Sequence, residues 1–164
     1  HASVRTRFHA SACLSSHGIT LLLSSPRSHA GRHEGFTQPQ ARGVVVELDA
    51  PEHASCELAS TSIRQAIDNL LGNAIKFSPS GSEVAVTLRH EGASLCLRVL
   101  DRGPGVPASE REAIFEPFHR VALDRPGKGL GLAIVRDVAE RHGGRAWVED
   151  REGGGAVFCL ALLG

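Results

Sequence analysis

Asn69-Leu70-Leu71-Gly72-Asn73-Ala74-Ile75-Lys76-Phe77 is the stretch on which the reading of this chain turns. At about 100° per residue, Asn69, Asn73 and Lys76 fall within roughly 60° of one another on a helix, opposite Ile67 and Ala74. Phe77 borders that polar face. Ser60 or Thr61 can cap the helix, Pro79-Ser80-Gly81 stops it near Ser78, and Ile63, Ile67, Leu70, Leu71 and Ala74 form its buried stripe.

Reading outward, residues 83–90 and 94–100 are two strands joined at Glu91-Gly92, and Asp101-Arg102-Gly103-Pro104-Gly105 follows at a strand end. A short acidic helix is expected around residues 109–115, running into Phe115-Glu116-Pro117-Phe118. Gly127-Lys128-Gly129-Leu130-Gly131 then opens a helix over about 130–141, which Gly143-Gly144 ends. Residues 146–149 and 156–163, separated by Glu152-Gly153-Gly154-Gly155, make a closing hairpin. Upstream, Val44-Val45-Val46-Glu47-Leu48 is a strand closed by Asp49-Ala50-Pro51. Strand, helix, two strands, helices, two strands is an α+β order: a two-layer α/β sandwich, with helices on one face of a mixed, mostly antiparallel sheet.

The chemistry of these blocks converges. Amide oxygens are neutral, hard ligands suited to Mg²⁺, which keeps several waters and completes its shell with phosphate oxygens, and a neighbouring lysine neutralises phosphate charge. Asp101 can accept a hydrogen bond from an exocyclic amine such as that of adenine, while Gly103 and Gly105 admit close backbone approach. Phe115 and Phe118, on a proline-interrupted segment, can anchor a flap to the core, and core packing is their direct role in either reading. Gly127, Gly129 and Gly131 leave free amides at a helix start for phosphate oxygens. No G-K-[ST] ending and no parallel βαβ unit surround them, so this is neither a P-loop nor a dinucleotide motif. Each block alone is common on ordinary surfaces; four different chemistries in this order are not.

That order resembles the N, G1, F and G2 boxes of the ATP-binding domain shared by sensor histidine kinases, gyrases, certain chaperones and mismatch-repair ATPases, the Bergerat fold. The match covers about residues 41–164. Asn-Leu-Leu-x-Asn-Ala-x-Lys-Phe, Ile-Phe-Glu-Pro-Phe-x-Arg120 and Gly-x-Gly-Leu-Gly-Leu-Ala-Ile-Val look most like bacterial sensor histidine kinases. The resemblance implies ATP and Mg²⁺ as ligands, with Asn73 on the metal, Asn69 and Lys76 at the phosphates as catalytic residues, and Phe77 along the adenine. Asp101 would take the adenine amine, with Gly103, Gly105, Phe115 and Phe118 shaping the pocket. A lid within about residues 102–129 would bring Arg120 and Lys128 to the phosphates, and Gly129, Leu130 and Gly131 would open its closing helix.

Hydrolysing relatives resemble one another in placing a glutamate four residues before the metal asparagine. Here that position is Asn69, and an amide cannot act as a base for water. Asp68, the nearest carboxylate, points about 100° away on the helix. Slow hydrolysis and transfer of the γ-phosphate to a protein side chain are therefore expected. A second departure is Ala156, where relatives commonly carry a Thr or Ser hydroxyl near adenine.

Bulk composition supports a single domain: 164 residues, 41% hydrophobic and 22% charged. Eighteen basic residues balance eighteen acidic ones, so nothing argues for nucleic acid or an anionic membrane as partner. The run Ile19-Thr20-Leu21-Leu22-Leu23 is far short of the roughly 20 residues needed to span a bilayer. Cys13, Cys56, Cys96 and Cys159 form no metal-binding pair and read as buried thiols in a reducing, cytoplasmic setting, including the cytoplasmic part of a membrane-bound sensor.

Residues 1–40, rich in His, Ser and Arg without sustained periodicity, read as a linker or disordered arm, with the domain over residues 41–164. The absence of methionine favours a piece of something longer. Only 36 residues separate His33 from Asn69, too few for a phosphoacceptor helical hairpin, so the faint echo in His33-Glu34-Gly35-Phe36-Thr37-Gln38-Pro39 is taken as chance. The expected partners are a histidine-bearing dimerisation domain, in cis or in trans, and a response regulator. An anti-sigma-type serine kinase, which works without such a hairpin, and a non-catalytic nucleotide-binding module are the alternatives.

Overall fold

A computed structural model describes residues 3–15, 18–24, 44–51, 61–121 and 128–163. Its strands are β1 (Ser3–Ser15), β2 (Gly18–Ser24), β3 (Val45–Pro51), β4 (Glu83–Glu91), β5 (Ser94–Leu100), β6 (Arg145–Asp150) and β7 (Ala156–Leu163); its helices are α1 (Thr61–Phe77) and α2 (Gly131–Arg141). The described strands form one sheet in the order β2-β1-β3-β4-β5-β7-β6, in which β3 and β4 run parallel and the other neighbours antiparallel.

Alternation along the central strands builds the core. Val84, Val86 and Leu88 of β4, Leu95, Leu97 and Val99 of β5, and Phe158, Leu160 and Leu162 of β7 share one buried cluster. Ile63, Ala66, Leu70 and Ala74 of α1 and Val135, Val138 and Ala139 of α2 complete it. Each large aliphatic side chain so buried contributes about 1.5–3 kcal/mol. The stripe expected on α1 is present, with Ile67 at its half-buried margin. Cys96 and Cys159 lie outside this cluster, buried as free thiols in β5 and β7.

Two sequence readings differ from the structure. The helix expected over 109–115 is two short 3₁₀ turns, Ala108–Glu110 and Ala113–Phe115. Pro107 and Pro117 bracket the segment and leave too few residues to propagate an α-helix past its costly first turn. The N-terminal arm was read without regular structure, yet Ser3–Ser15 and Gly18–Ser24 pair as a hairpin, and Ser3–His9 extends the sheet beside Val45–Pro51. The open edge of β3 supplies that partner, and strand pairing between residues about forty positions apart leaves no local periodicity to read. Residues 25–43 of the arm and its boundary lie outside the described residues.

The register delivers the site. Pairing of Leu100 with Val157 sets Asp101, just past β5, beside the first residue of β7. The Asp101 N–H donates to the Ala156 carbonyl at 2.9 Å.

Candidate nucleotide site

The polar face of α1 is where its sequence placed it. Asn69, Asn73, Lys76 and Phe77 are all half-buried, while Leu70, Ala74 and Ile75 are buried behind them. Lys76 Nζ stands 5.0 Å from the centre of the Phe77 ring, a cation over an aromatic face at the end of the helix.

Other blocks close on this face. A methyl group at Gly131, the first residue of α2, would lie 3.3 Å from Asn69 Oδ1, so the start of α2 sits directly against Asn69. At the other end, a methyl at Gly103 would lie 3.2 Å from the Phe77 carbonyl oxygen, and the Arg102 N–H donates to the buried Ser78 hydroxyl at 3.2 Å. The Asp101 turn is thus tied to the C-terminus of α1. Leu130 directly precedes α2, and its carbonyl accepts the Ile134 N–H at 3.1 Å.

Asp101 is 3% exposed. Its Oδ1 accepts the Gly103 N–H at 2.8 Å and the Ala156 N–H at 3.1 Å, and Oδ2 has no hydrogen bond among the described residues. Burial pushes this carboxyl above the ordinary carboxylate range, against the opposing pull of those two N–H groups and of Arg151. One oxygen thus fixes the side chain, and the other is left without a hydrogen bond among the described residues.

The segments flanking residues 122–127 are joined through Phe118 and Gly129. The Phe118 N–H donates to the Gly129 carbonyl at 2.8 Å, joining residues eleven apart. Gly129 has φ 70°, and a methyl there would lie 2.9 Å from the Phe118 and His119 backbone, so this crossing requires glycine. Arg136 Nη1 of α2 holds Glu116 Oε1 at 2.6 Å, and His119 Nε2 lies 2.7 Å from Glu110 Oε2. Arg120 is half-buried and Lys128 exposed; residues 122–127, Gly127 among them, lie outside the described residues.

One atom beside the start of α2 is orphaned: the Asn69 amide nitrogen is buried without a hydrogen-bond partner. A buried donor left unpaired costs about 1–3 kcal/mol, which an anionic oxygen delivered there would recover.

Residues 59–163 match the family model for histidine kinase-, DNA gyrase B-, and HSP90-like ATPases. The chain belongs to that family. It is 36% identical over 124 residues to the alginate biosynthesis sensor protein KinB of Pseudomonas aeruginosa, a match covering 75% of this chain and 21% of that protein. Among solved structures it is similar to the mycobacterial sensor histidine kinase MprB, with a TM-score of 0.58, 35% identity, and coverage of 73% of this chain and 79% of that one. It is also similar to full-length ShkA in complex with AMPPNP, with a TM-score of 0.54, 38% identity, and coverage of 62% and 21% respectively. The chain spans 21% to 30% of the length of the first curated relatives it matches.

Membership makes the pocket of this ATPase-family domain an ATP site, and its donor set bears on the metal. No cluster of three or more His, Cys, Asp or Glu among the described residues could cage a cation. Asparagine oxygens on one helix suit Mg²⁺ that arrives already coordinated by phosphates, so the residues present fit a nucleotide-borne ion.

One expectation is corrected. Phe115 is buried, at 4% exposure, but Phe118 is 72% exposed with φ 66°. Its backbone is committed to the Gly129 contact, and that left-handed turn carries the ring away from the core instead of into it. At Ala156, where a hydroxyl was expected to be missed, the backbone N–H holds Asp101 directly.

Ser78, Gly155 and Arg151 are site-supporting residues that pattern reading passed over. A methyl on Gly155, whose φ is 106°, would run into the Asp101 carbonyl oxygen. None of the three sits in a motif; each acts on the Asp101 turn from across the fold. Beside that turn lies a cavity of about 440 Å³, lined in part by Gly105, Val106, Arg111, Asp150 and Arg151 and by no residue of α1. No helix among the described residues is long and apolar enough to cross a membrane.

Proposed function

We propose that this domain holds Mg-ATP for transfer of the γ-phosphate to a histidine on a dimerisation domain, from which a response regulator takes it. The domain would work in the cytoplasm. The observation that carries the reading is the pairing of a buried Asp101 carboxylate, whose Oδ1 alone is hydrogen-bonded among the described residues, with an unsatisfied Asn69 amide donor, the first tied to the C-terminal end of α1 and the second on its polar face. The similarity to sensor kinases, one of them solved with AMPPNP, supports it.

In this reading Asp101 Oδ2 accepts the adenine amine, Phe77 flanks the base and Asn69 Nδ2 donates to a phosphate oxygen. Lys76 balances phosphate charge, with Arg120 and Lys128 added from the lid. Asn73 would contribute the protein ligand to Mg²⁺, which would supply positive charge against that of the phosphates. With an amide at Asn69, the site offers no base to activate water there. Burial raises the Asp68 carboxyl, against the pull of Arg64; its position on the helix turns it from the cleft.

Titration of the chain with a fluorescent ATP analogue and Mg²⁺ tests the first half. Binding is expected in the wild type, with a loss of about tenfold or more in Asn73→Ala as the charge-assisted metal contact goes. Supplying a histidine-bearing helical hairpin from a sensor kinase tests the second half: the phosphate formed should be acid-labile and alkali-stable. Hydrolysis without acceptor should stay orders of magnitude below the ~10 s⁻¹ typical of enzymes. Absence of Mg-ATP binding, an acid-stable phosphoprotein or rapid hydrolysis would each overturn the assignment.

A further inference from the structure

Arg151 reaches the nucleotide site from behind. It begins the turn between β6 and β7, where its N–H donates to the Gly155 carbonyl at 3.3 Å and its own carbonyl accepts the Gly154 N–H at 3.0 Å. From that fixed backbone the guanidinium extends to the end of β5. There Nη1 donates to the Leu100 carbonyl at 3.1 Å and to the Asp101 carbonyl at 3.0 Å.

These bonds complete the attachment of Asp101. Its N–H goes to Ala156, its carbonyl to Arg151 and its Oδ1 to Gly103 and Ala156, which leaves Oδ2 without a hydrogen bond among the described residues. A hydrogen-bonding site discriminates between ligands only as sharply as its acceptor is held, because a side chain free to swing re-pairs with whatever is offered. The partners are fifty residues apart in sequence, so local chain stiffness cannot substitute for the clamp.

We propose that Arg151 is a positioning residue of the nucleotide site: it fixes the direction of the Asp101 carboxylate and so sets how strictly the pocket demands an amino group on the purine. The inference rests on the reading of Asp101 as the acceptor for that amine. A lysine could replace the charge but not the rigid planar guanidinium that holds its Nη1 between two successive carbonyls. The charge acts in the same direction as the geometry: Arg151 favours the ionised carboxylate, while burial and the neighbouring Arg102 lower the guanidinium itself against the smaller opposing pull of Asp101 and Glu83. Gly155 prevents any side chain from intervening between the turn and Asp101.

The test compares binding of ATP and inosine triphosphate, whose base carries oxygen in place of the amino group, to the full chain in Mg²⁺. Wild type should prefer ATP by about 10- to 100-fold, the range for a hydrogen bond to a charged group. In Arg151→Gln the preference should collapse to a few-fold while the far-UV circular dichroism is retained, and Arg151→Lys should fall between. A purely structural role would weaken both nucleotides equally and leave their ratio at the wild-type value. That unchanged ratio, in whichever of the two variants folds, would overturn the proposal. Asp101→Asn separates the two layers: if it keeps the wild-type preference, the adenine reading itself fails. If it loses the preference while the Arg151 variants retain it, only the clamp fails.

Discussion

Replacing Asp101 by Asn perturbs one oxygen of the site and leaves the rest in place. Asn can present its carbonyl oxygen to the Gly103 and Ala156 N–H groups, at 2.8 and 3.1 Å from the present Oδ1, so the turn keeps both bonds. Its amide nitrogen then occupies the position of Oδ2, a donor facing the donating amine of adenine. One charge-assisted hydrogen bond is lost, about 1.5–3 kcal/mol, or roughly 10- to 100-fold in affinity for ATP.

Stability should move the other way. Burial raises the folded-state pKa of Asp101, so the folded protein binds this proton more tightly than the unfolded chain does. The stability so gained is fully present below the unfolded pKa of about 3.9 and is lost as pH rises through the folded value. At neutral pH the buried charge is a liability, which Asn removes.

Asp101→Asn should therefore match or exceed wild-type stability at pH 7, within about 1 kcal/mol. It should lose ground as the pH is lowered toward 4 and the wild-type carboxyl takes up its proton. Isothermal titration with Mg-ATP and urea unfolding at both pH values read the two effects. Unchanged ATP affinity, or a stability loss of several kcal/mol at pH 7, would show that the carboxylate serves the turn and not the ligand.

Other expectations follow from packing. Gly155→Ala should lose about 2–4 kcal/mol by urea unfolding, from left-handed backbone strain and the collision with the Asp101 carbonyl. Phe115→Ala should cost about 3–5 kcal/mol as a buried aromatic is removed. Phe118→Ala, with the ring already in solvent, should stay within about 1 kcal/mol in the same denaturation assay. Cys159, whose thiol is pushed up to about 12 by burial, should resist alkylation at pH 8 in the native chain and react once urea unfolds it, as site-resolved mass spectrometry would show.

Much of the site was legible because its information is local. The period of α1 put Asn69, Asn73 and Lys76 on one face, and Pro79-Ser80-Gly81 set the helix end within a residue or so of Phe77. The hairpin turn at Gly92 and the position of Asp101 past β5 likewise follow from alternation and turn residues. Phe118 was misread because two phenylalanines three apart suggest a shared apolar role, whereas a backbone contact with Gly129 turns one ring outward. The short helix before it was misread because acidic composition speaks for propensity and not for the length that two flanking prolines allow.

The sequence by itself determined the family, the α+β order and the polar face of α1, since periodicity and turn chemistry act over a few residues. Only the tertiary structure decided which oxygen of Asp101 is held by the turn, that the Asn69 amide is left without a partner, and that Arg151 and Gly155 stand behind the turn. Those outcomes depend on where β7 and α2 are laid against residues more than fifty positions away. Register and packing fix such contacts, and no window of local sequence contains both partners.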